Sequence, residues 1–292
     1  ITNGTLVIEG AKILSVGKSG EVDIPKNALV YNMKGKTIMP GMVDAHAHIG
    51  AFRDGLTVQQ NWQLYANLAY ARELGVNMVP EGGSTLFHNL SMVQDGHTGI
   101  EHNIPIAPVY NDVIEFWKRT KVGYTPTLIV NYGGLNGENY WYQKSNVWED
   151  DKLLQFTPRG LVDARSRHRN MAPDEEYENG HILTSKQVNS LAKNGVKINL
   201  GAHGQLQGLG AHWELWSLVQ GGMSNHEALQ AATINGAAYI GMSKDIGSIK
   251  AGKLADIIIL DKNPLEDIRN SSSISHTMIN GRLYKSNTMD EI

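Results

Sequence analysis

The chain has 292 residues, 41% hydrophobic and 19% charged, with a net charge of −3. That composition suits one large globular domain, or a large and a small one. No basic run marks a nucleic-acid partner, and no apolar run reaches the ~20 residues that span a bilayer. Cysteine is absent, which excludes disulfides and thiolate metal ligands. The chain opens at Ile1 inside a strand-like run, the expectation for a processed or trimmed start.

Residues 5–15 read as two short strands around Glu9-Gly10. Residues 22–24 and 28–32 continue the β pattern on either side of Pro25. Next comes Met39-Pro40-Gly41-Met42-Val43-Asp44-Ala45-His46-Ala47-His48. A Pro-Gly turn opens a short apolar strand on which Asp44, His46 and His48 share one face. Two imidazoles on one strand face can hold one metal ion from the same side. Residues 57–75 have apolar spacings of three and four, which predict a helix. Val76–Val79 reads as a strand before Pro80-Glu81-Gly82-Gly83, and residues 91–95 as a short helix. Gly99-Ile100-Glu101-His102 reads as a strand end, and 124–130 as a strand. Residues 183–194 form an amphipathic helix stopped by Gly195. A strand at 196–200 then ends in Gly201-Ala202-His203. Residues 213–219 are helical, and Ser224 with Glu227 forms a capping box ahead of a helix at 225–240. Residues 253–260 and 276–284 are strands, the latter a pair around Asn280-Gly281. Strands alternating with helices predict a parallel α/β arrangement.

The stretch Gly35 to His48 resembles the opening barrel strand of the amidohydrolase superfamily, and residues 245–256 resemble its return strand near the far end. Imidazolonepropionase-like and prolidase-like members are the nearest in pattern, among them the amidohydrolase part of proteins that also carry a TolB-like propeller. The resemblance implies a (β/α)8 TIM-type barrel over 39–248. It also implies a small β-sandwich built from both termini, 1–38 plus 249–292. Only 33 residues separate His48 from Glu81, where the family has three further βα units. A full barrel takes about 250 residues. Either those units are deleted, or residues of the natural protein are missing near Tyr70-Ala71. The second is favoured, because an open half-barrel would expose parallel strand edges.

By the same resemblance, His46 and His48 match the first-strand metal pair and His102 the sixth-strand histidine. The fifth-strand histidine position falls on Glu81. The eighth strand, which ends in Gly-Thr-Asp in the family, ends here in Gly201-Ala202-His203. The family's bridging lysine would fall in the missing stretch, and no lysine at a strand end replaces it. A carboxylate and an imidazole are still good ligands, so the expected set is His46, His48, Glu81, His102 and His203. It would hold one or two Zn²⁺, or another divalent metal. His203, or else Glu81, stands as the catalytic base. The alternatives are that Glu81 satisfies turn amides, His102 is a core histidine and His203 is a substrate group. His88, His97 and His212 flank the same strand ends and are expected to be ordinary loop histidines. Seven of the 21 aromatics fall between 124 and 156, so Tyr132 and Trp141 are expected to line a substrate wall.

The leading expectation is a metal-dependent hydrolase that cleaves an amide, peptide-like or cyclic C–N bond of a small molecule. One rival is an inactive barrel serving as a binding or assembly module; another is the same site acting on an ester, lactone or phosphoester. A propeller N-terminal to this chain and homo-oligomerisation are the partner expectations. No nucleic acid and no membrane span are expected, and the compartment is left open.

Overall fold

The computed structural model describes residues 1–47, 71, 73–132, 134–166 and 171–292. The expected helix at 57–75 and His48 fall largely or wholly outside the described residues. The chain divides into two compact units, residues 1–43 with 225–292, and residues 44–224.

In the first unit, β1 (Gly4–Glu9) and β2 (Lys12–Lys18) form an antiparallel hairpin. Its turn uses Gly10 at φ 57°, a conformation glycine adopts without penalty. A four-stranded antiparallel sheet joins the two ends of the sequence in the order β3 (Thr37–Pro40), β6 (Ile257–Leu260), β7 (Ile274–Ile279), β8 (Arg282–Lys285). The β7–β8 turn has both Asn280 (φ 53°) and Gly281 (φ 79°) left-handed. Those are the signs a two-residue hairpin needs to match strand twist. Ile257 and Ile259 alternate onto one face and pack with Ile13, Ala255, Met278 and Leu283. Each such side chain contributes roughly 1.5–3 kcal/mol on burial. Residues 22–24 and 28–32 are not strands, against the pattern reading. Leu29 and Val30 are 83% and 76% exposed, so that segment has no buried face to pair it.

The expected helix at 225–240 is a broken run: Asn225–Gln230, a π turn at Ala231–Asn235, then Gly236–Tyr239. Gly241 follows at φ 81° and terminates it. Inside the same unit the Val43 amide donates to Ala232 O, and Gly236 lies so close to Val43 that a Cβ would meet it at 3.1 Å.

The second unit is organised by parallel pairing. β4 (Gly99–Glu101) lies beside β5 (Gly123–Thr125). Further parallel bridges join Glu81 to Glu101, Tyr124 to Ile198, and Ala47 to His203. The spatial order of these segments is therefore 78–82, β4, β5, 197–203, 44–47, and the first in sequence stands beside the last. Ile100, Tyr124 and Leu200 have no exposed surface, as expected of parallel strands covered on both faces. β5 ends at Thr125, shorter than the expected 124–130. Thr127 takes φ 51°, and residues 127–130 turn instead of extending.

Helices α1 (Leu86–Asp95), α2 (Asn111–Trp117), α3 (Gly137–Lys144), α4 (Asp151–Phe156) and α5 (Arg159–Ser166) follow in order. α6 (Asp174–Tyr177) runs through a π turn into α7 (Leu183–Lys193), and α8 (Leu209–Gln220) completes the unit. Gly195, at φ 94°, ends the α7 region as its position predicts. An aromatic-rich core gathers Ile129, Trp141, Tyr142, Val147, Leu153, Val162, Leu206 and Trp213.

Candidate metal centre

The parallel segments of the second unit bring their C-terminal ends together at one place. Paired residues in adjacent strands face the same way. Glu101 pairs with Thr125, so both project to one side. Gly201 meets that side too: a Cβ there would lie 2.5 Å from Thr125 Cγ2, 2.9 Å from His46 Cβ and 2.9 Å from Thr127 Oγ1. Glycine at 201 is thus what lets the first-strand histidine sit against β5.

Strict alternation would turn His102 away from the side that Glu101 faces. His102 instead adopts φ 67°, and His203 adopts φ 58°. A non-glycine residue in this region costs on the order of 1–2 kcal/mol. The left-handed turn redirects the side chain, so two consecutive residues, Glu101 and His102, reach the same place.

Three imidazoles converge there. The candidate ligand nitrogens of His46, His102 and His203 all lie within 4.8 Å of one another. Ring centroids are 4.7 Å apart for His46 and His102, 5.0 Å for His102 and His203, and 5.2 Å for His46 and His203. Two carboxylates flank His46: Glu101 Oε2 is 3.1 Å from Nδ1, and Glu81 Oε1 is 3.8 Å from Nε2. Asp44 fastens the first segment to the last. Its Oδ1 accepts from the Ala202 amide at 2.9 Å and the His46 amide at 3.2 Å. Burial pushes the Asp44 carboxyl up to about 6.

These donors fit a divalent ion such as Zn²⁺, which takes imidazole nitrogen and carboxylate oxygen at roughly 2.0–2.2 Å. Ligands around a tetrahedral ion then lie roughly 3.3–3.6 Å apart, so a spread of up to 4.8 Å closes when each side chain of a pair moves by about 0.6–0.8 Å.

A model of the amidohydrolase family matches residues 183–284. An ochratoxinase from Aspergillus niger is 34% identical over 159 residues, covering 51% of this chain and 33% of its own length. A guanine deaminase from Escherichia coli is 22% identical over 378 aligned positions, covering 94% of this chain and 85% of that protein. Among solved structures, a prolidase complexed with N-methylphosphonate-L-proline matches at TM-score 0.67 and 17% identity, over 96% of this chain and 94% of that one. Residues 183–284 thus match the amidohydrolase family, and the chain is similar to members of that superfamily. It spans about a third of the length of the ochratoxinase it matches. The guanine deaminase alignment is longer than the chain itself, so that relative carries internal residues absent here.

Of the ligands expected from sequence, His46, His102 and His203 are brought together, and Glu81 lies near His46. His48 is outside the described residues. Tyr132 reaches the cluster, its ring centroid 4.5 Å from that of His102. Burial, then the charge of Glu81, raise the Tyr132 pKa and keep the hydroxyl protonated. Asn103 clasps Tyr132: its Oδ1 accepts from the Tyr132 amide at 2.6 Å, and its Nδ2 donates to Tyr132 O at 3.0 Å.

Trp141 is not at this site. It is buried in the aromatic core, and its indole N–H donates to Ser217 Oγ at 2.9 Å. The expectation fails because 137–144 folds as a helix whose apolar side carries Trp141 and Tyr142 inward. His88 is exposed, and His97 Nδ1 lies 3.1 Å from Met92 O. His212 is buried, which together with Lys152 holds its pKa down near 4. None of the three joins the cluster of three histidines.

Two buried carboxylates were not expected from the sequence. Glu101 hid behind strand alternation beside His102. Glu214, on α8, accepts from the Leu128 and Ile129 amides at 2.9 and 3.0 Å and so holds the turn that leads to Tyr132. An acid within the apolar run of α8 was its sequence signal.

Proposed function

We propose that this chain is a metal-dependent hydrolase acting on C–N bonds of a small molecule. The observation that carries the reading is the convergence of His46, His102 and His203 at parallel strand ends, with carboxylate oxygens 3.1 and 3.8 Å from the two nitrogens of His46. The site that active centres of barrel enzymes occupy is the C-terminal end of the strands. The pairing of segment 44–47 with 197–203 supports a closed (β/α)8 wall, and the sheet shared by both termini supports a β-sandwich.

His46, His102 and His203, with Glu81 and His48, would hold Zn²⁺ or a similar ion. A divalent cation bound there supplies an activated water and polarises the scissile carbonyl. The remaining work falls to the protein. Tyr132, protonated and against His102, is placed to donate to a substrate oxygen. Glu81, about a third exposed at its side chain, or His203 is placed to accept the water's proton and pass it to the leaving nitrogen. The names of relatives, a guanine deaminase and a prolidase among them, support a C–N bond over an ester or phosphoester.

The test is metal content followed by turnover on a panel of amides, dipeptides and cyclic amides. Wild-type protein should bind close to one or two equivalents of Zn²⁺, and His46→Ala and His102→Ala should each lose most of it. Equal metal content in wild type and both variants would refute the centre. Full metal content with no turnover on the panel would favour a binding module.

A further inference from the structure

We propose that Glu101 is the positioning residue that orients His46 toward the metal, a role that rests on the metal-centre reading above. Three observations carry it. First, the two nitrogens of His46 face different carboxylates, Nδ1 toward Glu101 at 3.1 Å and Nε2 toward Glu81 at 3.8 Å. A neutral imidazole has one N–H and one lone pair. Glu101 Oε2 stands beside Nδ1 without a hydrogen bond to it in this geometry; a proton on Nδ1, attracted to that carboxylate, leaves the lone pair on Nε2, on the side where Glu81 stands. A carboxylate on the non-ligating nitrogen fixes both tautomer and ring orientation.

Second, Glu101 is the more deeply buried of the two carboxylates. The Glu101 side chain is 4% exposed and that of Glu81 31%. Both backbone groups of Glu101 are tied to the neighbouring segment: its amide donates to Pro80 O at 3.1 Å, and its carbonyl accepts from Gly82 at 2.8 Å. Gly82 is packed so closely that a Cβ would meet Asn89 Oδ1 at 2.3 Å and Glu101 O at 2.8 Å. A group that orients another must itself be held, and Glu101 is. Glu81, with the more exposed side chain, is the less enclosed of the two.

Third, the left-handed conformation of His102 makes the arrangement available. It places a ligand on the residue immediately after Glu101 without withdrawing Glu101 from the interior. One strand end thus supplies a ligand of its own and the orienting group for a ligand on another strand.

The experiment uses metal-free wild type, Glu101→Gln and Glu101→Ala, titrated with Zn²⁺ against a chromophoric chelator and with Co²⁺ by visible absorption. Glu101→Ala should weaken Zn²⁺ binding by about 10–100-fold. Glu101→Gln retains an oxygen that accepts the Nδ1 proton, and should weaken binding by about 3–10-fold. At saturation both variants should show the wild-type Co²⁺ bands, since the ligands are unchanged. Bands that shift or change intensity at saturation would make Glu101 a ligand and overturn the positioning role. Binding within about twofold of wild type in both variants would overturn it as well. If circular dichroism shows Glu101→Ala unfolded, Glu101→Gln decides alone by the same two readouts. A wild-type protein that takes up neither ion would overturn the metal centre itself, and this role with it.

Discussion

Removing the buried Glu214 carboxylate should loosen the turn that presents Tyr132, and the structure sets the size of the effect. Glu214 has no exposed surface, and its two oxygens accept from the amides of Leu128 and Ile129, which are equally buried. Glu214→Ala leaves two buried donors without acceptors, at about 1–3 kcal/mol each. With the space vacated, the total loss is about 3–6 kcal/mol. Urea unfolding at neutral pH measures it directly.

The pH dependence gives a second, independent check. Burial raises the Glu214 pKa from 4.5 to about 8, against the two amide hydrogen bonds and with help from Asp44. Between those values the folded chain holds a proton that the unfolded chain releases. This part of the stability is complete below pH 4.5 and declines by about 1.4 kcal/mol per pH unit until pH reaches about 8. Glu214→Gln cannot titrate and lacks this decline. Whatever the gap between wild type and Glu214→Gln at pH 5, it should shift in the variant's favour by about 1.4 kcal/mol per unit as pH rises. A gap that stays flat or moves the other way, or a Glu214→Ala protein within about 1 kcal/mol of wild type, would refute the reasoning.

Gly201→Ala puts a methyl into contact with Thr125, His46 and Thr127 at 2.5–2.9 Å. It should cost about 1–3 kcal/mol by thermal unfolding and weaken Zn²⁺ binding, and a variant unchanged in both would show that this packing does not shape the site. If His203 is the base, His203→Ala should keep the metal and lose about 100-fold in turnover, with wild-type activity falling below roughly pH 6–7. If His203 is a ligand, metal and activity should go together; normal metal with normal turnover would move the base to Glu81. Burial lowers His181 from 6.5 to about 4. Its share of stability is therefore present above pH 6.5 and lost as pH falls toward 4. From pH 7 to pH 5, His181→Gln should lose about 2 kcal/mol less than wild type in urea titrations, and equal losses would contradict a buried neutral imidazole.

Local sequence determined the elements whose causes are themselves local. Both hairpins follow from residues that tolerate positive φ, at Gly10 and at Asn280-Gly281. The amphipathic run 183–193 is a helix because its apolar spacing fits that period, and Gly195 stops it. His46, His102 and His203 were legible as candidates because each closes a strand-like run.

Tertiary structure decided the rest, where a long-range contact or a single backbone reversal outweighs the pattern. Strand-like residues 28–32 form no strand, since their apolar side chains find no buried face. Trp141 and Tyr132 come from one aromatic segment, yet helix packing takes Trp141 into the core while the Asn103 clasp holds Tyr132 against His102. Glu101 and His102 meet at the centre only because the left-handed φ of His102 overrides the two-residue alternation of a strand. That reversal is set by the surrounding packing, and no periodicity in the amino-acid sequence encodes it.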